Sequence, residues 1–443
     1  MNFVFLNQYY PPDAAPTRIM LARVVQEMTK AGHEVTVICA KGGYASRDAN
    51  DQESCNVDEH GGDGVNVLRV GATSFGRGTF LGKMVDYVSF YIGVVWALAR
   101  LSQQPDKIVA LTTPPYLSIL ARIFSKVYGC GHAHWVMDLY PDVMVAHGML
   151  KSNGLLHKLL AALTRWGFGG QRCSTVLSLG PDMAKRVASY LGPEETSPWV
   201  PLWSGSESSE INQEDVMALR KSRGWKDDEL IVMYSGNMGL GHLFDEVLLA
   251  ASEVENSGET SRFVFFGGGK RRAEVAAYVE AHPDAPVELH DYVNAEDLDA
   301  HLASADVHLV SLRPVWDGTM VPSKLQGVFA AGRPVIFIGS EESSIGQWVS
   351  QSGAGWLVGP GDVDALKAAI AEASQASECA RRGLLAHSYG MEYFSSNKNA
   401  CRVADLIMNG SEHYFVIIYF VAVGGCMACA MINHSSWLII NIY

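Results

Sequence analysis

Val321-Pro322-Ser323-Lys324-Leu325-Gln326-Gly327-Val328-Phe329-Ala330-Ala331-Gly332-Arg333-Pro334-Val335 reads as a helix that gives way at once to a strand. Pro322 fits just before or at the first turn of a helix, and Ser323 is a natural cap or first-turn donor. A helix starting here offers free backbone N–H groups and its positive end to a diphosphate. Lys324 adds a full charge, and Gly318 and Thr319 just upstream let the backbone approach a ligand closely. A capped structural helix explains Pro322 and Ser323 alone, but not the whole string.

The alternation of strand and helix extends outward from this segment over most of the chain. Phe3 to Leu6 reads as a first strand, Thr17 to Ala31 as a helix closed by Gly32, and Glu34 to Cys39 as a second strand. Further strands fit at Val65 to Val70, Lys107 to Leu111, His132 to Met137 and Thr175 to Ser178, with Gly42 to Gly64 as a loop. A second unit restarts at Leu230 to Tyr234, followed by a helix from Leu243 to Glu255. Strands at Phe263 to Phe266, Val287 to His290, Val307 to Val310, Val335 to Ile338 and Gly355 to Val358 complete it. The pattern predicts an α/β chain with two tandem Rossmann-like domains, at 1–200 and 201–385, and a ligand cleft between them. Trp199 to Trp203 is the expected connection, and 386–412 is expected to return as a helical segment to the first domain.

Composition narrows the function. The net charge of -13 argues against a nucleic-acid partner, while a few local donors suffice for a nucleotide diphosphate. Cys39, Cys55, Cys130, Cys173, Cys379, Cys401, Cys426 and Cys429 have no framework spacing and suit reduced thiols in a cytosolic protein. Cys426 and Cys429 have metal-ligand spacing but apolar surroundings and no second pair, so no metal is expected. No export signal precedes Phe3-Val4-Phe5-Leu6, which predicts a cytoplasmic first half. Met84 to Leu101 reads either as a core helix or as a helix that dips into one membrane leaflet. The tail 413–443 has no charged residue, and Tyr414 to Ile432 would span about 28 Å as a helix. It reads either as a membrane anchor or as an aberrant extension.

The Pro322 to Val335 string resembles the donor-binding segment of glycosyltransferase family 4, especially bacterial transferases that build surface polysaccharides. That family's helix reads Pro-Ser-Lys-Leu-x-Glu and is followed by Ala-Ala-Gly-x-Pro-Val. The resemblance extends from Tyr9-Tyr10-Pro11-Pro12 and Ala31 to Val37 as far as about Asp364. It implies the GT-B fold, no cofactor, a nucleotide-sugar donor (UDP-linked by expectation) and a glycan or lipid-linked glycan acceptor. It further implies retention of anomeric configuration, metal independence and work at the inner face of the cell membrane, through a peripheral or single-span contact. The family's ribose-binding Glu pair is missing, since its positions fall at Thr319 and Gly327. A sugar-nucleotide epimerase of the same fold and a non-catalytic sugar-nucleotide binder are the alternatives.

The remaining candidates sit where strands meet loops. Gly236 and Asn237, in Tyr234 to Gly241, let amides face a phosphate, with His242 the nearest basic group. Lys270, after Gly267-Gly268-Gly269, either neutralises the leaving group or opens a solvated basic run through Arg271 and Arg272. By the resemblance, Tyr292 and Val293 hold the base, and Pro322, Ser323 and Lys324 hold the diphosphate. Thr17 caps the first helix, with Arg18 facing acceptor or diphosphate and Thr113 bordering the acceptor cleft. Asp138, in Met137-Asp138-Leu139-Tyr140-Pro141-Asp142, is the carboxylate expected to orient the acceptor hydroxyl; otherwise it caps the next turn. Asp138 and Lys324 are thus the catalytic pair.

Overall fold

The computed structural model describes residues 1–12, 16–41, 59–61, 64–71, 73, 80–203, 211–257 and 261–410, together with three strands within 416–441. The first sheet is built from β1 (Asn2–Leu6), β2 (Glu34–Lys41), β3 (Glu59–Gly61), β4 (Val65–Gly71), β5 (Lys107–Ala110), β6 (Gly131–Trp135) and β7 (Cys173–Leu177). Its spatial order is β3-β4-β2-β1-β5-β6-β7, parallel except for β3. Its helices are α1 (Pro16–Lys30), α2 (Phe80–Ala99), α3 (Leu117–Tyr128), α4 (Asp142–Ala146), α5 (Leu155–Phe168) and α6 (Pro181–Ala188). Continuous apolar runs such as Phe3 to Leu6 are buried on both faces, which is why they do not alternate with polar residues. One face packs on α1 through Leu21, Val24, Val25 and Met28. The opposite face packs on α2 and α3 through Phe90, Val94, Leu98, Leu117 and Ala121.

The second domain carries α7 (Gln213–Ser222), β8 (Leu230–Ser235), α8 (Asp245–Ser257), β9 (Ser261–Phe266), α9 (Arg272–Ala281), β10 (Val287–His290) and α10 (Leu298–Ala303). It continues through β11 (Val307–Ser311), α11 (Lys324–Ala330), β12 (Val335–Ile338), α12 (Ser344–Ser352), β13 (Gly355–Val358), α13 (Val363–Ala373) and α14 (Ala376–Tyr393). All six strands are parallel, in the order β10-β9-β8-β11-β12-β13. In each sheet the order reverses beside the first strand, β1 or β8, and the crevice at that switch point is where open α/β sheets take ligands. Helix ends follow local chemistry: Ser343 and Asp362 cap α12 and α13 by accepting from Gly346 and Ala365 amides, and Gly129 ends α3 at φ 70°.

The two domains are joined by more than the connecting chain. Trp199 pairs with Ser178 beside β7, so the connection begins as an extra strand of the first sheet. After α14 the chain forms α15 (Ser396–Asn409), which packs on α1 and β7. There the buried Lys107 ammonium donates to the carbonyls of Ile407 and Met408 at 2.7 and 3.0 Å. A cation on the last carbonyls of a helix compensates its unpaired acceptors. One apolar cluster, containing Trp135, Trp203, Trp316 and Trp348, runs through both domains. Beyond α15, β14 (Val416–Ile418), β15 (Ala428–Asn433) and β16 (Ser436–Asn441) form an antiparallel sheet. Val416–Ile418 and Ala428–Asn433 are thus extended, while the other residues of the helix expected over Tyr414 to Ile432, apart from those two strands, lie outside the described residues. Of the expected loop, residues 42–58, 62 and 63 lie outside the described residues; Cys55, in that stretch, and Cys426, in the tail, do so as well.

Candidate active site in the interdomain cleft

The centre of the site is Lys324, the first residue of α11. Its ammonium lies 3.1 Å from His242 Nε2 and 3.4 Å from the Asn237 carbonyl, 5.0 Å above the Tyr234 ring. His242 Nδ1 sits 2.7 Å from the Ser311 carbonyl and must donate to it, which leaves Nε2 as an acceptor aimed at the lysine. Burial first, and the Lys324 charge second, push the His242 pKa down to about 3. The imidazole is therefore neutral at any working pH and orients the lysine; it is not the extra cation that its place in the sequence suggests. Burial also lowers Lys324 to about 7. Among the described residues no carboxylate pairs with it, so a half-buried cation stands open to an anion.

Two glycine loops hold this arrangement. Gly236 adopts φ 127°, and a Cβ there would come within 3.0 Å of Lys324 Cε. Gly267 has φ 123°, and a Cβ there would strike the Gly236 carbonyl at 2.2 Å. Only glycine lets these backbones approach each other so closely beside the lysine. Arg271 is buried; it donates to the His242 carbonyl and pairs with Glu274 and Asp245. Arg272 donates to the Gly267 carbonyl at 3.1 Å and pairs with Asp291. The Lys270-Arg271-Arg272 run is therefore not a solvated charge patch: two of its three members fasten the loops, and only Lys270 is exposed beside them. Tyr292 lies over Gly268, where a Cβ would meet its ring at 3.1 Å, and is itself 62% exposed. Val293 packs with Trp225, Ile231 and Phe266 beneath it.

Pro322 is buried and Ser323 is exposed. The Ser323 hydroxyl does not cap α11, which leaves it available to a ligand. Thr319 departs from the expected role: its hydroxyl is fully buried and donates to the Trp316 carbonyl at 2.7 Å. Its contribution is structural, because its carbonyl accepts the Leu139 amide of the first domain at 2.8 Å. Gly327 faces α10, where an added Cβ would lie 3.2 Å from Leu302 Cδ1.

The first domain supplies the opposite wall. Asp138 follows β6 and forms an isolated antiparallel bridge with Met320, a few residues before Lys324. Burial raises its carboxyl pKa to about 6. Among the described residues its carboxylate caps no helix and has no hydrogen-bond donor, so the turn-capping alternative is set aside. Thr112, not Thr113, positions it: the Thr112 hydroxyl oxygen accepts from the Met137 and Asp138 amides, each at 3.1 Å. Thr113 instead offers its carbonyl to the Gln8 amide. Tyr116, Tyr140, Thr164 and His134 line a small cavity with Asp138. His134 is buried and 3.0 Å from His132, a core pair as its strand position suggests.

Arg18 bends back to the Pro12 carbonyl at 2.8 Å. Because α1 starts at Pro16, Thr17 lies within the helix and does not cap it. Asp13, Ala14 and Ala15 lie outside the described residues. Across the cleft, the His147 ring meets Trp316 edge-on at 4.5 Å, and Lys270 is close enough to lower the His147 pKa after burial has done so. Asp182 ties the floor together, accepting from the Gly318 amide at 2.9 Å and from the Ser344 hydroxyl.

The comparisons with known proteins agree with this geometry. The glycosyl transferase 4-like domain family matches residues 17–202, and the glycosyl transferases group 1 family matches residues 229–375. WcaI of Escherichia coli K12, described as a colanic acid biosynthesis glycosyl transferase, is 24% identical over 84% of this chain and 92% of its own length. The glycosyltransferase WbjE of Pseudomonas aeruginosa is 24% identical over 70% of this chain and 77% of its own. Among solved structures, HepE of Anabaena in complex with UDP-glucose superposes with a TM-score of 0.63 at 14% identity, covering 92% of this chain and 99% of that one. Two family matches, one on each Rossmann-like domain and together spanning well over half of the residues, place the chain in the GT-B glycosyltransferases of the family 4 type.

Proposed function

We propose that the protein transfers a sugar from a UDP-sugar, with retention of anomeric configuration, to a polysaccharide or lipid-linked oligosaccharide precursor at the cytoplasmic face of the membrane. The observation that carries the donor site is Lys324, a half-buried ammonium with no carboxylate partner among the described residues, held by a neutral His242 beside the glycine loops at Gly236 and Gly267. A diphosphate supplies the missing anion, and a charge fixed in advance stabilises negative charge as it develops on the leaving group. Ser323 and Lys270 add donors at its margins, and the exposed Tyr292 ring offers a platform for the base. The UDP assignment draws support from HepE, whose solved complex contains UDP-glucose. The acceptor class draws support from WcaI, named for colanic acid biosynthesis.

In the proposed step the bond from the anomeric carbon to the β-phosphate oxygen breaks, and its electron pair leaves with the nucleoside diphosphate. The acceptor oxygen bonds to the same face of that carbon, and its proton passes to the departing phosphate. Asp138 accepts a hydrogen bond from the acceptor hydroxyl and aims it. Lys324, Lys270 and backbone amides carry the leaving-group charge without a metal.

The test is a calorimetric panel of UDP, GDP, ADP and dTDP, followed by NMR of the product made from the matching α-linked sugar nucleotide. Selective UDP binding and an α-linked product are expected. Preference for another nucleotide refutes the UDP assignment, and a β-linked product refutes retention. Binding without transfer to any acceptor tried favours the non-catalytic alternative, which the absence of carboxylates at 319 and 327 keeps distinct.

A further inference from the structure

We propose that His132, His134 and Cys173 form a binding site for a soft monovalent metal ion, Cu(I), toward the amino ends of β6 and β7. His132 and His134 lie two residues apart on β6, so both rings project from one face of the sheet. Cys173 opens β7 directly opposite His132, which brings its thiol to the same face. The register slips between His132 and Ala133, leaving Cys173 and Ser174 to share one partner, and such a bulge re-aims side chains. The Ser174 hydroxyl donates to the His132 carbonyl at 3.3 Å and ties the irregular stretch down. His132 Nδ1 and His134 Nε2 are 3.0 Å apart, and one ligand atom from each of the three residues lies within 4.8 Å of the others. A three-coordinate ion with bonds of about 2.0–2.3 Å spaces its ligands about 3.5–4 Å apart, which these separations bracket. Both imidazoles are buried, while Cys173 is partly exposed and offers a way in.

The surroundings choose the ion. Without a metal, one proton is shared between His132 Nδ1 and His134 Nε2, and the buried His134 Nδ1 makes no well-formed hydrogen bond among the described residues. The Gly167 backbone is near enough to favour a proton there. A cation on Nε2 fixes the proton at Nδ1, beside Gly167, as the outer partners of metal-bound histidines do. The Cys173 sulfur contacts the Thr175 carbonyl at 3.8 Å. Burial, and then Glu195, push that thiol up to about 12, so binding displaces its proton: the S–H bond breaks, a sulfur–copper bond forms, and the proton leaves to solvent. Thiolate and imidazole ligands suit Cu(I) and Zn(II) alike. Charge separates the two. Arg122 and Lys126 face His132, and Arg122 and Lys107 face Cys173, against the carboxylate of Glu195. One thiolate neutralises Cu(I) but leaves Zn(II) with a net positive charge among those cations, and an uncompensated buried charge is costly. Zinc also takes four ligands, and among the described residues no fourth His, Cys, Asp or Glu joins the group. Bound there, the ion ties β6 to β7, and His134 also lines the cavity beside Asp138.

This inference does not rest on the donor assignment, and its test reads metal rather than sugar transfer. The full chain, reduced and carrying Cys426→Ser with Cys429→Ser to remove the thiol pair of the tail, is titrated with Cu(I) against a chromogenic copper chelator. One equivalent should bind, release one proton and raise the melting temperature. X-ray absorption of the loaded protein should show two nitrogens and one sulfur around the copper, a reading that needs no variant at the site. Cys173→Ala, and separately His132→Asn, should each weaken binding by about 100-fold or more, since loss of even a supporting partner costs up to that. An unchanged metal-free melt with retained UDP-glucose binding confirms the fold of each variant. Copper held by sulfur alone, or an affinity undiminished in both variants, overturns the proposal. Zinc bound more tightly than copper through the same three residues overturns the choice of a monovalent ion.

Discussion

If Lys324 holds the donor diphosphate, donor binding is a proton-uptake reaction, and the size of the effect follows from the surroundings of the lysine. With a pKa of about 7 in the free protein, the lysine is charged below neutrality and loses its proton as pH rises through 7. A bound diphosphate favours the ammonium and raises that pKa, so affinity is complete below pH 7 and falls above it. If only the protonated site binds well, the apparent dissociation constant rises about tenfold between pH 6 and pH 8, or about 1.4 kcal/mol. His242 does not share this titration, because burial holds it near 3. Calorimetry of UDP-glucose in buffers of differing ionisation enthalpy measures the uptake directly; this ligand is preferred to UDP because its phosphates carry a constant charge across the range. Uptake should approach one proton per ligand at pH 8 and be small at pH 6. Asp138, near 6, also responds to an approaching anion, and Asp138→Asn removes that contribution from the acid end. A Lys324→Met variant should bind weakly with no pH dependence between 7 and 8. A flat wild-type profile, or an equal slope in Lys324→Met, refutes the assignment of Lys324 to the diphosphate.

Three further outcomes follow from the geometry. Asp138→Asn should lower kcat by roughly 10- to 100-fold, the worth of one hydrogen bond to a charged group, and leave donor affinity at pH 8 unchanged; a parallel loss of donor affinity would place Asp138 in the donor site. Wild-type kcat should also fall as pH drops through about 6 and Asp138 is neutralised, with that limb absent in the variant. Gly236→Ala should cost about 1–3 kcal/mol in denaturant unfolding, because φ 127° disfavours any side chain, and should weaken UDP-glucose binding because its methyl group displaces the Lys324 stem. Gly327→Glu should tighten UDP binding by about 1 kcal/mol, read by calorimetry, if the carboxylate reaches the ribose; the 3.2 Å approach to Leu302 is to the end of a flexible side chain and leaves room for it. Weaker binding with a retained fold would show that the pocket is built for a different sugar contact.

What was legible in the sequence is what the chain encodes locally. Strand positions followed from apolar runs, the helix after Pro322 from its start signals, and the turns at Gly236 and Gly267 from glycines that a close backbone approach requires. The roles that were misread are those settled by a partner far along the chain. His242 is neutral because burial, and then the Lys324 charge from 82 residues away, push its pKa down, while its Nδ1–H donates to the Ser311 carbonyl. Thr319 looks like a ligand contact until its carbonyl is seen to accept the amide of the distant Leu139, while its hydroxyl donates locally to Trp316. Thr112 and Thr113 are equivalent by sequence, and only the neighbouring strand decides which one meets Asp138. The same rule applies to α2: periodicity locates its apolar residues, but only the laid-down helix shows Phe90, Val94 and Leu98 against the sheet and Leu81 and Ile92 exposed.

The two uncharged positions, 319 and 327, connect these observations to the energetics of the site. Without carboxylates for the ribose, recognition of the donor has to come from the other contacts in the cleft. The described geometry offers them around Lys324: one half-buried cation, its neutral histidine and two backbone loops that only glycine can form. A site organised in this way should discriminate strongly between a diphosphate and a monophosphate. UDP against UMP is therefore a more searching comparison than UDP against GDP. Near-equal affinity for UDP and UMP at pH 6, where Lys324 is charged, would mean that the lysine does not face the diphosphate at all.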